Sequence, residues 1–226
     1  LEKKMIFVAE IGMNYNGHFP LCYELIKQAK YSGANIVKFQ LGWRDKPGEI
    51  NQLDKDKIKQ LYSWAEYFEI DLMFSIITND AFDIITKFKP VQIKIASRTL
   101  IDNLDLAKKI VDLNVRTFIS LGMWENKEIL PFKKKKDLFY LWCKSEYPTD
   151  NSSLSGKFPR EFDKDHIIGY SDHSIGIEMP LLAISRGAQI IEKHFTLDKS
   201  NTTIRDHALS ATPEEFLQMS RIGKDI

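Results

Sequence analysis

Short apolar runs punctuate this 226-residue chain at near-regular intervals. They fall at 6–9, 35–40, 72–77, 91–97, 116–120, 138–143, 166–168 and 188–191, and they are rich in isoleucine, valine and phenylalanine. Such runs predict strands buried on both faces, as in a parallel sheet. Between most of them the apolar positions switch to helical spacing. Over 19–32, Leu21, Leu25 and Ala29 share a face with Tyr23 and Ile26, and Gly33 ends the segment. Further helices are predicted over about 54–67, over 79–88 with Asn79 as the cap and Pro90 beyond, over 103–114 and over 177–186. A last one opens at Thr212-Pro213-Glu214-Glu215, where a proline and two acids suit a first turn. The connection after Met123 is short, and the polar stretch running to about Pro159 is expected to hold little regular helix. Eight strand-like runs alternating with helices predict one α/β domain over 1–226, a (β/α)8 TIM barrel with some shortened crossover connections. A doubly wound open sheet is the alternative. No glycine-rich dinucleotide or phosphate-loop fingerprint follows any run.

Composition changes this picture little. A hydrophobic share of 43% and a net charge of +1 exclude a disordered chain and a nucleic-acid-binding basic field. The lysine run 133–136 reads as a solvated loop. Cys22 and Cys143 are too few for a disulfide framework, which fits a reduced, cytoplasmic compartment. No apolar run approaches the roughly 20 residues of a membrane span. The chain begins Leu1-Glu2 and ends inside a helix-like stretch, so further residues are expected at either end.

The candidate chemistry sits where the apolar runs end. Strand by strand these ends carry Glu10, Lys38 with Gln40, Ser75, Lys94 with Ser97, Ser120, Ser145 with Tyr147, His173 and His194. In barrel enzymes the catalytic groups come from that rim. Lys38 and Lys94 lie between apolar neighbours in runs that should be buried, and a buried ammonium needs an anion nearby. Either each forms a structural ion pair, with Glu10 or Glu192 as partner, or the two receive an anionic ligand such as phosphate or carboxylate. The serine hydroxyls suit phosphate oxygens. His173 and His194 end neighbouring strands, each beside an acid (Asp172 and Glu192), and together would grip one divalent metal ion. Two nitrogen ligands leave positions open for substrate and water, and imidazole with oxygen donors suits Mn²⁺ or a similar ion. His207 is a third candidate, better placed in a substrate-binding loop, while His18 and His166 read as surface or loop residues.

These residues together resemble the sialic acid synthases, the N-acetylneuraminate synthases and their relatives that make nine-carbon keto sugar acids. The matching pieces are Ala9-Glu10-Ile11-Gly12-Met13-Asn14-Tyr15-Asn16-Gly17, Val37-Lys38-Phe39-Gln40, Ile93-Lys94-Ile95-Ala96-Ser97, Ser120-Leu121-Gly122-Met123 and Ser145-Glu146-Tyr147-Pro148. Gly169-Tyr170-Ser171-Asp172-His173, Glu192-Lys193-His194-Phe195-Thr196 and Asp206-His207-Ala208 complete the set, in family order. The resemblance implies a transferase of sialic acid biosynthesis that condenses phosphoenolpyruvate with the open-chain aldehyde of an N-acetylmannosamine-like amino sugar, releasing phosphate. It implies that His173 and His194 hold the metal, usually Mn²⁺, with Mg²⁺ or Co²⁺ as alternatives. Lys38, Lys94, Ser97, Ser120 and Ser171 would hold phosphoenolpyruvate, and Glu10 would handle a proton or the water. Gln40, Tyr147 and Asp206 would face the sugar, with Ser75 and Ser145 also on the substrate side. Partners are then small molecules and, in this family, a second copy in a homodimer.

Several positions depart from the family pattern. Tyr15 stands where His is usual, and Arg98-Thr99 where Gly and an acid are usual. Ile76-Ile77 and Leu121 replace Thr-Pro and Thr, and Arg205 lies in a lengthened segment before Asp206. The small antifreeze-like domain that often follows the barrel has no counterpart in these residues. Arg98 and Arg205 as a pair would suit an acidic or phosphorylated sugar. Two other readings compete. One is a Schiff-base pyruvate aldolase using Lys38 or Lys94. The other is a non-catalytic or regulatory barrel that binds phosphoenolpyruvate or sugar without turnover.

Overall fold

The computed structural model describes residues 5–163 and 166–226. Eight parallel strands close into a barrel in chain order. They are β1 (Ile6–Gly12), β2 (Ile36–Leu41), β3 (Asp71–Ile76), β4 (Gln92–Ile95), β5 (Arg116–Ser120), β6 (Leu138–Cys143), β7 (Gly169–Asp172) and β8 (Ile190–His194). The helices are α1 (Leu21–Tyr31), α2 (Lys55–Tyr67), α3 (Asn79–Ile85), α4 (Ser97–Asp102), α5 (Leu104–Asp112), α6 (Glu178–Ser185), α7 (Asp206–Leu209) and α8 (Pro213–Asp225). The connection between β5 and β6 contains no helix, and that between β6 and β7 holds only a 3-10 turn, Asn151–Leu154, among the described residues. No helix among them is long and apolar enough to cross a membrane.

Local chemistry sets the boundaries. Asp54 caps α2 by accepting from the Lys57 backbone at 2.9 Å, and Thr212 with Glu215 forms a capping box on α8. Several boundaries differ from expectation; β1 runs on to Gly12, and β8 is Ile190–His194 rather than 188–191. Thr78, not Asn79, caps α3, because its hydroxyl accepts from the Ala81 N–H at 3.2 Å and leaves Asn79 inside the first turn. The seventh strand is Gly169–Asp172 rather than 166–168, so the polar motif itself forms the ladder. The fourth ends at Ile95, and Ser97 opens the unexpected helix α4.

The barrel has two apolar layers. Phe7, Ala9, Val37, Phe39, Phe74 and Ile119 point outward into the core under the helices. Val8, Ile36, Met73, Phe118, Leu141 and Ile190 point inward and fill the lower barrel as a plug. Gly169 closes the plug on β7, since a Cβ there would lie 2.4 Å from the Ile190 carbonyl oxygen and 2.7 Å from Leu141 Cδ2. Side chains on a strand alternate between faces, so inward positions recur every second residue. Stepping two residues up from the plug gives Glu10, Lys38, Ser75, Ser120, Cys143, Ser171 and Glu192, and on β4 the step from Gln92 gives Lys94. The apolar floor is thus followed, on all eight strands, by a residue with a polar or ionisable side chain.

Candidate active site

That polar ring forms the base of a cavity of about 790 Å³ at the C-terminal ends of the strands. Every site residue expected from the sequence lines it: Glu10, Lys38, Gln40, Ser75, Lys94, Ser97, Ser120, Ser145, Tyr147, Ser171, His173, His194 and Asp206. At the base lies a four-charge cluster. Lys38 Nζ is 2.8 Å from Glu10 Oε2 and 3.5 Å from Glu192 Oε1, and Lys94 Nζ is 2.5 Å from Glu192 Oε1. Gln40 Nε2 donates to Glu10 Oε1 at 2.8 Å, and the Ser171 hydroxyl donates to Glu192 Oε1 at 2.9 Å. The ion pairs are therefore formed, and they line the cavity that an anion would enter. Ser97 Oγ accepts from the Gly122 N–H at 2.8 Å. A Cβ on Gly122 would lie 2.4 Å from Ser145 Oγ and 2.9 Å from Cys143 Sγ, so this rim position is open only to glycine.

The two imidazoles stand on the upper rim with ring centroids 5.4 Å apart. His173 Nδ1 lies 2.8 Å from the Lys144 carbonyl oxygen. A carbonyl only accepts, so Nδ1 carries a proton, and it is Nε2 that holds the lone pair whenever the ring is neutral. His194 Nδ1 is buried without a hydrogen-bond partner and lies 3.9 Å from Asp206 Oδ2. Tyr147 covers His173 at 4.0 Å between centroids, and the Arg205 guanidinium sits 4.7 Å from the Tyr147 ring centroid.

Comparison with known proteins decides the family. The NeuB family model matches residues 48–226. A protein of Methanocaldococcus jannaschii without a described function is 36% identical over 94% of this chain and 68% of its own length. The chain belongs to the NeuB family. Another relative, the N,N'-diacetyllegionaminic acid synthase of Campylobacter jejuni, is 32% identical over 95% of this chain and 74% of its own. Among solved structures, an N-acetylneuraminic acid synthetase from Leptospira borgpetersenii superposes with a TM-score of 0.82 at 28% identity, covering 98% of this chain and 83% of that one.

In this NeuB chain the four buried charges divide. Burial lifts the Glu10 carboxyl above the usual range, with Lys38 opposing and the Glu192 charge adding to the rise. Burial would do the same to Glu192, but the Lys38 and Lys94 ammoniums outweigh it and hold that carboxyl well below the usual range. Burial pulls Lys94 below the ordinary lysine value, and Glu192 only partly offsets it. Lys38 feels the same burial, yet Glu10 and Glu192 together hold it above. Burial also drives His194 down to about 4, against the pull of Asp206, so its imidazole is neutral near pH 7.

The donor set fits a divalent cation. His173 offers a free Nε2, His194 is neutral with an unpartnered Nδ1, and Glu192 Oε2 is a buried oxygen without a hydrogen-bond partner. No group of three His, Cys, Asp or Glu that could hold a metal ion occurs among the described residues.

Some expectations change. His207 is no ligand candidate: it bonds Thr196 Oγ1 through Nδ1 and Asn16 Oδ1 through Nε2, both at 2.7 Å, which ties two loops together outside the cavity. Tyr15 also lies outside the cavity. Its hydroxyl donates to Asn51 Oδ1 at 2.6 Å, and Asn51 in turn holds the Gln40 and Trp43 carbonyls. Arg98 and Arg205 both line the cavity. They follow β4 and β8, opposite strands of the ring, and Arg98 leans on Asp102 at 3.7 Å. Cys143, Trp43 and Arg44 line the cavity unforeseen. Period-two counting from the plug identifies Cys143; nothing local in the sequence marks Trp43 or Arg44.

Proposed function

We propose that this chain joins phosphoenolpyruvate to the open-chain aldehyde of an N-acyl hexosamine, yielding a nine-carbon 2-keto sugar acid and phosphate. The observation that carries the reading is one cavity that unites two buried lysines, a set of buried hydroxyls and two imidazoles. Lys38, Lys94, Ser97, Ser120 and Ser171 bind the phosphate and carboxylate of phosphoenolpyruvate. The Ser120 hydroxyl is buried without a partner, ready to donate to such an oxygen. Gln40, Tyr147 and Asp206, with Ser75 and Ser145, line the space for the sugar. Carbon 3 of the enol attacks the aldehyde carbon, water adds at carbon 2, and phosphate departs.

Glu10 suits the proton-handling role, because burial raises its pKa above the usual carboxylate value, whereas the two lysines hold Glu192 as an anion. His173 and His194 would hold a divalent cation, Mn²⁺ first, with Mg²⁺ or Co²⁺ as alternatives. When bound, that ion supplies Lewis-acid polarisation of the aldehyde oxygen. Tyr147 packs its tilted ring against His173 at 4.0 Å between centroids.

Phosphate release is the test, measured across a panel of N-acyl hexosamines with Mn²⁺ present. Release with at least one sugar, lost on chelation and restored by Mn²⁺, is expected. Tight phosphoenolpyruvate binding with no release for any sugar would make the chain a binding barrel. The lowered pKa of Lys94 favours one rival, a Schiff-base aldolase. Borohydride trapping of a pyruvate adduct on Lys94 would replace our reading with that one.

A further inference from the structure

Three of the donors assigned to phosphoenolpyruvate, Lys38, Lys94 and Ser171, are already engaged. Glu192 Oε1 gathers Lys94 Nζ at 2.5 Å, Ser171 Oγ at 2.9 Å and Lys38 Nζ at 3.5 Å. Two ammoniums and a hydroxyl converging on one oxygen make the pattern that a phosphate or carboxylate oxygen of a ligand would complete. The second Glu192 oxygen, Oε2, is buried with no hydrogen-bond partner, so this carboxylate is held from one side only. The donors stand on β2, β4 and β7, and the Glu192 carboxylate reaches all three from β8 across the barrel interior. Charge points the same way. Lys38 and Lys94 are each paired with a carboxylate, Glu10 and Glu192, so an entering anion meets ammoniums that already have partners.

We infer that Glu192 is an internal place-holder: its Oε1 occupies the position of a substrate oxygen, and an entering anion must take Lys94 and Ser171 from it. This rests on the phosphoenolpyruvate reading given above. Glu192 is then a residue that sets affinity. It keeps the lysines paired between turnovers, weakens the hold on phosphoenolpyruvate, and retakes Lys94 as phosphate leaves.

The test compares inorganic phosphate and phosphoenolpyruvate binding to the wild-type protein and to Glu192→Gln by calorimetry. Removing the competing charge should tighten both anions at least about tenfold, with a lower KM for phosphoenolpyruvate and a lower kcat from slowed phosphate release. A Glu192 that merely positions Lys94 would give the opposite, weaker binding in the variant, and would overturn the inference. Wild-type binding with unchanged affinity in Glu192→Gln would also overturn it while leaving the proposed function standing. Wild-type protein that binds neither anion would remove both. Should the variant fail to fold, the wild-type structure with bound phosphate decides. Phosphate oxygens on Lys94 and Ser171, with Glu192 Oε1 withdrawn, support the place-holder. A Glu192–Lys94 contact kept at 2.5 Å beside bound phosphate sinks it.

Discussion

Two buried lysine–carboxylate clusters lie within the same barrel wall. On the outer face of β7 and β8, Lys193 Nζ is 2.6 Å from Asp172 Oδ2, and both side chains are wholly buried. Asp172 Oδ1 also accepts from the Tyr170 hydroxyl at 2.6 Å, the Ser174 hydroxyl at 2.7 Å and the Ser174 N–H at 2.9 Å. Lys193 spends a further donor on the Ser174 carbonyl. No atom of this outer cluster is left unpartnered, and none of its residues lines the cavity. On the inner face, Lys38 and Lys94 face Glu10 and Glu192 with comparable distances and burial. There Glu192 Oε2 and the nearby Ser120 hydroxyl remain unpartnered, and about 790 Å³ of space lies against them. A buried ion pair is therefore no marker of function; it becomes one when hydrogen-bonding capacity is left over beside a cavity.

Breaking the outer cluster should have the largest effect on stability. Lys193→Met leaves Asp172 buried without its cation and should cost about 3–5 kcal/mol in urea unfolding, while the folded fraction binds phosphate as before. An equal loss of phosphate affinity would erase the distinction between the two clusters. Lys94→Met should do the reverse. Phosphate affinity should fall about 100-fold, or about 2.7 kcal/mol, with a smaller loss of stability, since Glu192 keeps Ser171 and Lys38 and faces the cavity.

Acid sharpens the comparison further. His194 titrates near 4 when folded against an ordinary value of 6.5, so the unfolded chain takes up a proton that the folded chain refuses. The stability that this provides is complete above about pH 6.5 and is lost as pH falls toward 4, by about 3 kcal/mol in all. His194→Gln should flatten that part of the stability–pH curve, followed by thermal melts between pH 4 and 7. The smallest effect belongs to the serines. Ser120→Ala removes a hydroxyl with no partner and should change stability by less than about 0.5 kcal/mol while weakening phosphate binding several-fold. Ser174→Ala should cost about 1–3 kcal/mol and leave phosphate binding alone.

Much of this site was legible along the chain. Polar residues at the ends of apolar runs marked Glu10, Lys38, Lys94, Ser120, His173 and His194, because a buried strand admits a polar group only where something answers it. The strand limits were less legible. Gly169-Tyr170-Ser171-Asp172 reads as a loop, yet it pairs with β6 and β8 because those neighbours supply its hydrogen bonds. His207 could be placed no more closely than in a substrate-binding loop, because sequence does not reveal that Thr196 and Asn16 occupy its nitrogens.

What the amino-acid order determined by itself was alternation: eight apolar runs with helical spacing between them, and the residue types that two-fold periodicity sends inward. It did not separate Lys193 from Lys94, for each is one lysine in a short buried strand. Only closure of the barrel did that, by turning one toward a packed wall where every polar atom finds a partner and the other toward a cavity where some do not. Satisfaction of a buried polar group depends on atoms brought in from distant strands, so it is a property of the assembled barrel rather than of any stretch of chain.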